Sequence, residues 1–261
     1  MESLESELAR ARELDVAELA DAIEAIGFEC TRCGACCKAE AGCSGDDLTD
    51  DDRAGDAGES DAGDAAGDAD EPGPDPEPHT ATVFPDEVRE LQAAAADAGE
   101  EPYDWRDVAR PMPYGLDDGP AGPTGETFEW ALATDDCGDC VFYEEADGDD
   151  EGACTVHDDR PLICRTYPFS VALGGTSQPQ GEVVDGDGPV RAHECEGLGR
   201  DIDREDAESL AAALKERAVR ELSEAIDVRD AYEPVAVEGE GEVVVYDSEG
   251  AKRGDGTPLG E

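Results

Sequence analysis

Four cysteines stand within eight residues in "FECTRCGACC", Phe28 to Cys37. No other feature of the chain restricts its fold so strongly. Cys30, Cys33 and Cys36 repeat as C-x-x-C-x-x-C, and Cys37 follows at once. Two intervening residues let a tight turn aim both thiolates at one metal, while turn amides donate to the sulfurs. Adjacent cysteines in extended backbone point different ways. Cys36 and Cys37 therefore serve two metals, or one metal and a supporting role, more easily than they chelate the same ion. The run lacks the fourth cysteine and proline of a bacterial ferredoxin repeat, because Glu40 and Ala41 stand in their place. Its missing ligand is expected from a second group far along the chain: Cys137, Cys140, Cys154, Cys164 and Cys195. Cys43 lies between the two groups.

Ten cysteines are read as metal ligands rather than disulfides only if the compartment is reducing. The N-terminal "MESLESELARARELDVAEL" is charged throughout and has no apolar signal core, so the chain is expected in the cytoplasm. No stretch approaches the roughly 20 apolar residues of a membrane span. Acids number 70 against 19 bases, a net charge of -51, and lysine occurs only at Lys38, Lys215 and Lys252. Acid spread over every segment, with lysine depleted, reads as a halophilic surface. In molar salt the screening length is about 3 Å, and such repulsion is tolerable. A generic acidic, partly disordered chain is the alternative. Nucleic acid is excluded as a partner, since no basic stripe exists to neutralise phosphates. No protein partner is legible.

Residues 1–27 read as a helical segment, broken near Asp15, with Val16, Leu19, Ile23 and Ile26 on one face and Gly27 as the stop. Residues 28–200 form the cysteine-cluster domain. Within it, 44–81 is an acidic low-complexity stretch without aromatic residues, read as a disordered insertion that includes His79. Order is expected to resume at Val83. A helix starts at Pro85, and "PYDWRDVARPMPYG" is a short helix ending at Pro111. "TFEWALAT" alternates as a strand, with "CVFYEE", "ACTVH" and "FSVALGG" as further short strands. Residues 201–230 hold the clearest helix, with Leu210, Leu214, Ala218, Leu222 and Ile226 spaced by four. Residues 231–261 are expected to give a weak hairpin and a loose tail. The fold class is α+β: a small cysteine-rich metal-binding core with short strands, flanked by N-terminal and C-terminal helices.

Other side chains qualify as supports or extra ligands. His157 follows Cys154 by three, and His193 precedes Cys195 by two. In "RPLICRTYPF", Pro161 starts a short helix after Asp158 or Asp159 as cap, presenting Cys164 from its inner face. Arg160 and Arg165 then flank a thiolate-rich centre whose excess negative charge a guanidinium offsets. Cys137 is a further candidate of this kind.

Together, "FECTRCGACC", "CVFYEEADGDDEGACTVHDDRPLICRTYPF" and "CEGLG" resemble the YkgJ-type cysteine-cluster family of zinc- or iron-chelating domains, here as a haloarchaeal-like member. The resemblance spans about Phe28 to Gly199 without the acidic stretch. It implies eight shared metal ligands: Cys30, Cys33, Cys36, Cys37, Cys140, Cys154, Cys164 and Cys195. Cys43 and Cys137 fall outside that set. The implied cofactor is an iron–sulfur cluster, [4Fe–4S] in the first instance, or zinc. The implied role is metal binding with no defined reaction. A lysine methylase-like enzyme, as in related proteins that use S-adenosylmethionine beside a cluster, is the alternative, and a purely structural zinc domain is another. No glycine-rich methyl-donor turn and no radical C-x-x-x-C-x-x-C motif is present.

Overall fold

The computed structural model describes residues 3–39, 78–97, 103–144, 152–179, 182–235 and 241–259. The expected insertion at 44–81 lies outside these residues, except for its end from Pro78. The described residues restart there, five residues before Val83.

In chain order the elements are α1 (Leu4–Glu13), α2 (Val16–Ile26), a 3-10 turn (Ala35–Cys37), β1 (Thr82–Val83), α3 (Pro85–Asp97), α4 (Trp105–Val108), β2 (Ala109–Pro111), β3 (Leu116–Gly119), β4 (Gly122–Thr127), β5 (Trp130–Leu132), β6 (Tyr143–Glu144) and β7 (Ala153–Cys154). A second 3-10 turn (His157–Asp159) leads to α5 (Leu162–Thr166), β8 (Phe169–Val171), β9 (Val183–Asp185), β10 (Val190–His193), α6 (Arg204–Ala231), β11 (Val243–Asp247) and β12 (Gly250–Arg253). The class is α+β, with strand orders β1-β5-β2, β8-β10-β9, β12-β11-β4-β3 and β6-β7. All of these pairs are antiparallel except β11 with β4.

Local chemistry starts the helices. The Asp15 carboxylate accepts from the amides of Ala17 and Glu18, which fixes the break between α1 and α2. Asp203 caps α6 in the same way through Asp206. The apolar stripes then decide the packing. Leu19, Ala20 and Ile23 of α2 meet Leu214, Ala218 and Leu222 of α6, over Phe169, Val171, Val190 and Ala192 of β8 and β10. A second cluster gathers Val88, Leu91, Val108, Trp130, Leu132, Cys140, Phe142 and Val245. The terminal helices thus share one core with two strands of the cysteine domain, and Cys37, Cys140, Cys154 and Cys164 pack in the second cluster.

Four elements differ from expectation. Asp104 and Asp107 form a capping box on α4, which ends at Val108, and Ala109–Pro111 pairs instead with β5. The "TFEWALAT" strand breaks at Phe128, which is exposed, while Trp130–Leu132 is buried along its whole length, so alternation does not describe it. The C-terminal tail is not loose: β12 pairs with β11 across Ser248 and Glu249, and β11 runs parallel to β4. Lys252 anchors β12. Its ammonium is buried 2.7 Å from both Asp247 and Glu249, and it lies over the Trp105 ring. Finally, α5 has no Asp cap. The Leu162 amide donates instead to Glu87 of α3, whose other oxygen accepts from Phe84. Burial pushes the Glu87 carboxyl up.

Candidate metal centre

The cysteine run leaves α2 through Gly27 and lies against the far end of the domain. Phe28 bridges Leu198, Glu29 donates to the Gly197 carbonyl at 3.0 Å, and Gly199 donates back to Gly27. These bonds bring Cys195 beside Cys30 and Cys33. Its sulfur accepts from the Gly197 amide at 3.4 Å. Burial lifts the Cys195 thiol above its ordinary range, and Cys33, Cys36 and Cys30 add to the rise.

The run then turns into the 3-10 turn at Gly34, where φ is +76°, and Cys36 and Cys37 hold their sulfurs 3.8 Å apart. The Cys140 amide donates to the Cys37 carbonyl at 2.8 Å, which joins the two cysteine groups directly. Cys154 lies on β7 opposite Tyr143 of β6. Cys164 is the third residue of α5. Desolvation raises the Cys140 thiol to about 12, with Cys154 and Cys36 adding to it. Burial raises Cys154 and Cys164 too, and the thiol hydrogen bond with Cys37 raises Cys36. Arg160 opposes the rise at Cys36, Cys154 and Cys164. These thiols stay protonated until a cation enters, because a metal supplies the charge that deprotonates them.

The Tyr143 ring lies beneath the turn, with Lys38 over it at 5.3 Å. A Cβ on Gly34 would sit 2.3 Å from the ring, at a φ that L side chains rarely adopt. Gly34→Ala is expected to lower stability by about 2–4 kcal/mol and to lower metal content. Thermal melts and elemental analysis check this, and a metal content equal to wild type would contradict the role assigned to the turn.

Cys30, Cys36, Cys37, Cys140, Cys154 and Cys164 line a cavity of about 760 Å³, together with His79, His157, Arg160 and Tyr167. Cys33 and Cys195 lie outside its lining. Arg160 donates from Nε to the His157 carbonyl, which holds its guanidinium among the thiols. Arg165 does not join it. One residue past Cys164 on a helical turn the side chain leaves in another direction, and it is exposed. His157 sits 3.5 Å from the Asp158 carboxylate. His193 is buried in β10, with Nε2 3.1 Å from the Ser170 hydroxyl. Cys137 is disulfide-bonded, which removes its sulfur from the free thiols. Cys43 lies outside the described residues.

His79 is the residue that sequence reasoning missed. It is 4% exposed, and its Nε2 stands 2.9 Å from the Cys36 carbonyl oxygen. A carbonyl only accepts, so Nε2 carries the proton and Nδ1 is a bare lone pair. That Nδ1 has no hydrogen-bond partner. No spacing to a cysteine marks this residue within "PEPHTATVF".

Among the described residues, no three Cys, His, Asp or Glu side chains are drawn closely enough around one point to hold a metal ion as they stand. The donor set nevertheless fits zinc or iron by its chemistry: soft sulfurs from both arms, an orphaned imidazole nitrogen and a neutralising guanidinium. Fold and site together define a thiol-rich α+β metal-chelating protein. Residues 29–196 match the CxxCxxCC family, described as "Putative zinc- or iron-chelating domain", and the chain belongs to that family. No curated protein and no solved structure matches the chain. Among the described residues no helix is long and apolar enough to cross a membrane.

Proposed function

We propose that the chain holds iron as a [4Fe–4S] cluster, through thiolates drawn from Cys30, Cys33, Cys36, Cys37, Cys140, Cys154, Cys164 and Cys195. The observation that carries this reading is the spread of six cysteines around one cavity of about 760 Å³. Four thiolates on one zinc ion must approach one another to about 3.8 Å, given zinc–sulfur bonds of about 2.3 Å. Among the described residues no three such side chains are drawn around one point, and the adjacent Cys36 and Cys37 sulfurs stand 3.8 Å apart. A sulfide-bridged cluster places one thiolate per iron corner and tolerates wider spacing. Bound there, a cluster supplies one-electron chemistry or a store of iron. Arg160 and the amide of Gly197 are placed to offset thiolate charge.

Anaerobic purification, with a visible spectrum, elemental analysis and acid-labile sulfide, tests the proposal. A brown protein with iron and sulfide in equal amounts supports it. A colourless protein with stoichiometric zinc overturns it in favour of zinc.

A second cavity of about 630 Å³ favours a second reading, an enzyme that holds a substrate beside the centre. It shares Thr82, Met112, Tyr114, Glu129 and Ser177 with the first cavity. Heat on titration with S-adenosylmethionine would support the methylase-like form of that reading, and its absence would remove that form.

The acidic surface belongs to the same proposal, as that of a cytoplasmic protein working in concentrated salt. Carboxylates crowd the surface at a net charge of -51, so screening relieves their repulsion. Raising KCl from 0.2 M to 2 M is expected to raise the melting midpoint by roughly 10 °C, or about 3 kcal/mol for a chain of this size. A flat or falling response would refute salt adaptation.

A further inference from the structure

The eight free thiols do not form one set. Cys37, Cys140, Cys154 and Cys164 all pack against the second hydrophobic cluster, among Phe142, Val156 and Tyr143. Cys30, Cys33 and Cys195 do not join that cluster, and Cys195 stands near Cys33 and Cys30 instead. Their segments are tied to each other through Phe28 and Leu198, and both of those side chains pack against the first cluster. The cysteine run crosses from one core to the other at its vicinal pair. Exposure follows the division in part: Cys30, Cys33 and Cys36 are exposed and Cys140 is buried, while Cys195 is half-buried like Cys37, Cys154 and Cys164. Each side therefore has three cysteines of its own kind. The vicinal pair supplies a fourth to each, Cys36 on the exposed side and Cys37 on the packed side.

Four thiolates complete a zinc site or a cubane cluster, and eight exceed what either takes. From this division we infer that the protein contains two separate thiolate centres: an inner one from Cys37, Cys140, Cys154 and Cys164, and an outer one from Cys30, Cys33, Cys36 and Cys195. The inference rests on the proposed metal-binding function. The inner centre is built into a packed core, with Arg160 at its side, and is the structural one. The outer centre closes the junction between the end of α2 and the turn after β10. Three of its four residues, Cys30, Cys33 and Cys36, are exposed, so it is the one that exchanges metal. Cys36 touches both groups, which couples the two centres through a single peptide bond. Tyr167 stands beside the outer sulfurs, with its hydroxyl donating to the Glu194 carbonyl.

The test is native mass spectrometry of the metal-loaded full chain, which reads metal and sulfide mass per chain. Wild type should carry two increments, and chelation in steps should remove one without loss of the folded signal. Cys33→Ser and Cys195→Ser should each lose that first increment, about half of the bound metal, and the double variant should lose no more. Cys154→Ser and Cys140→Ser should lose the other. Where an inner variant does not fold, the outer variants and the stepwise chelation of wild type decide the question. A single increment lost together by outer and inner variants overturns the two-centre inference and leaves metal binding intact. A wild-type chain that takes up no metal overturns both.

Discussion

Cys164→Ser should strip at least half of the bound metal and lower the melting midpoint by more than 10 °C. Cys164 is the third residue of α5, a helix of barely more than one turn whose first amide is held by Glu87 from α3. Its sulfur is fixed by elements that belong to the packed core and cannot be replaced by a neighbour. A serine hydroxyl does not ionise near neutral pH and is a hard donor, so the site loses a ligand rather than gaining a weaker one. The stability loss follows because metal is bound by the folded chain and not by the unfolded one. Structural metal in small sites contributes about 10–16 kcal/mol of apparent binding free energy, and a three-ligand site keeps only part of that. Elemental analysis and thermal melts of variant and wild type, loaded side by side, check the result. Cys43→Ser serves as the comparison and should leave metal content near wild type. Equal losses in both variants would undo the separation of ligand cysteines from the other two.

The helices and the cysteine spacing were legible because each carries its information locally. Asp15 and Asp203 cap the helices they precede, and the four-residue repeat of α6 needs no partner to be recognised. The short strands were not legible in this way. Strands of two to four residues, such as β6, β7 and β12, owe their identity to the strands they meet, and no alternation can be read over so few positions. The C-terminal tail acquires order through Lys252, which meets Asp247 five residues before it and Trp105 far away in sequence. The site divides along the same line. Convergence of the two cysteine groups followed from ligand arithmetic. The placement of His79 did not, because its burial comes from a Cys36 carbonyl and a Gly138 turn that its own neighbours do not encode. Arg160 and Arg165 look equivalent in sequence, and only the direction in which the short helix turns separates them.

The largest loss of stability outside the metal centre is expected at Arg217. Its side chain is 2% exposed in the middle of α6, where that helix crosses the end of α5 and the start of β8. Nη1 donates to the Thr166 hydroxyl at 2.8 Å and to the Phe169 carbonyl at 3.1 Å, Nη2 donates to the Ser177 carbonyl, and Nε pairs with Glu221 at 2.9 Å. Glu221, 9% exposed, also accepts from the Ser177 amide. Arg217→Ala leaves that carboxylate nearly buried without its countercharge and removes a donor from the Phe169 and Ser177 carbonyls. The expected cost is about 3–5 kcal/mol, a large share of the roughly 5–15 kcal/mol that holds an ordinary domain together. Chemical denaturation midpoints measure it. The double variant Arg217→Met with Glu221→Gln removes both charges yet keeps an acceptor for Ser177, and it should recover at least half of the loss. A double variant as unstable as the single would locate the cost in the lost carbonyl anchors instead of the stranded charge. Thr166 lies two residues past Cys164, so the same clamp also steadies the helix that carries this proposed ligand. A single variant within about 1 kcal/mol of wild type would show that α6 does not hold α5 and β8 through this side chain.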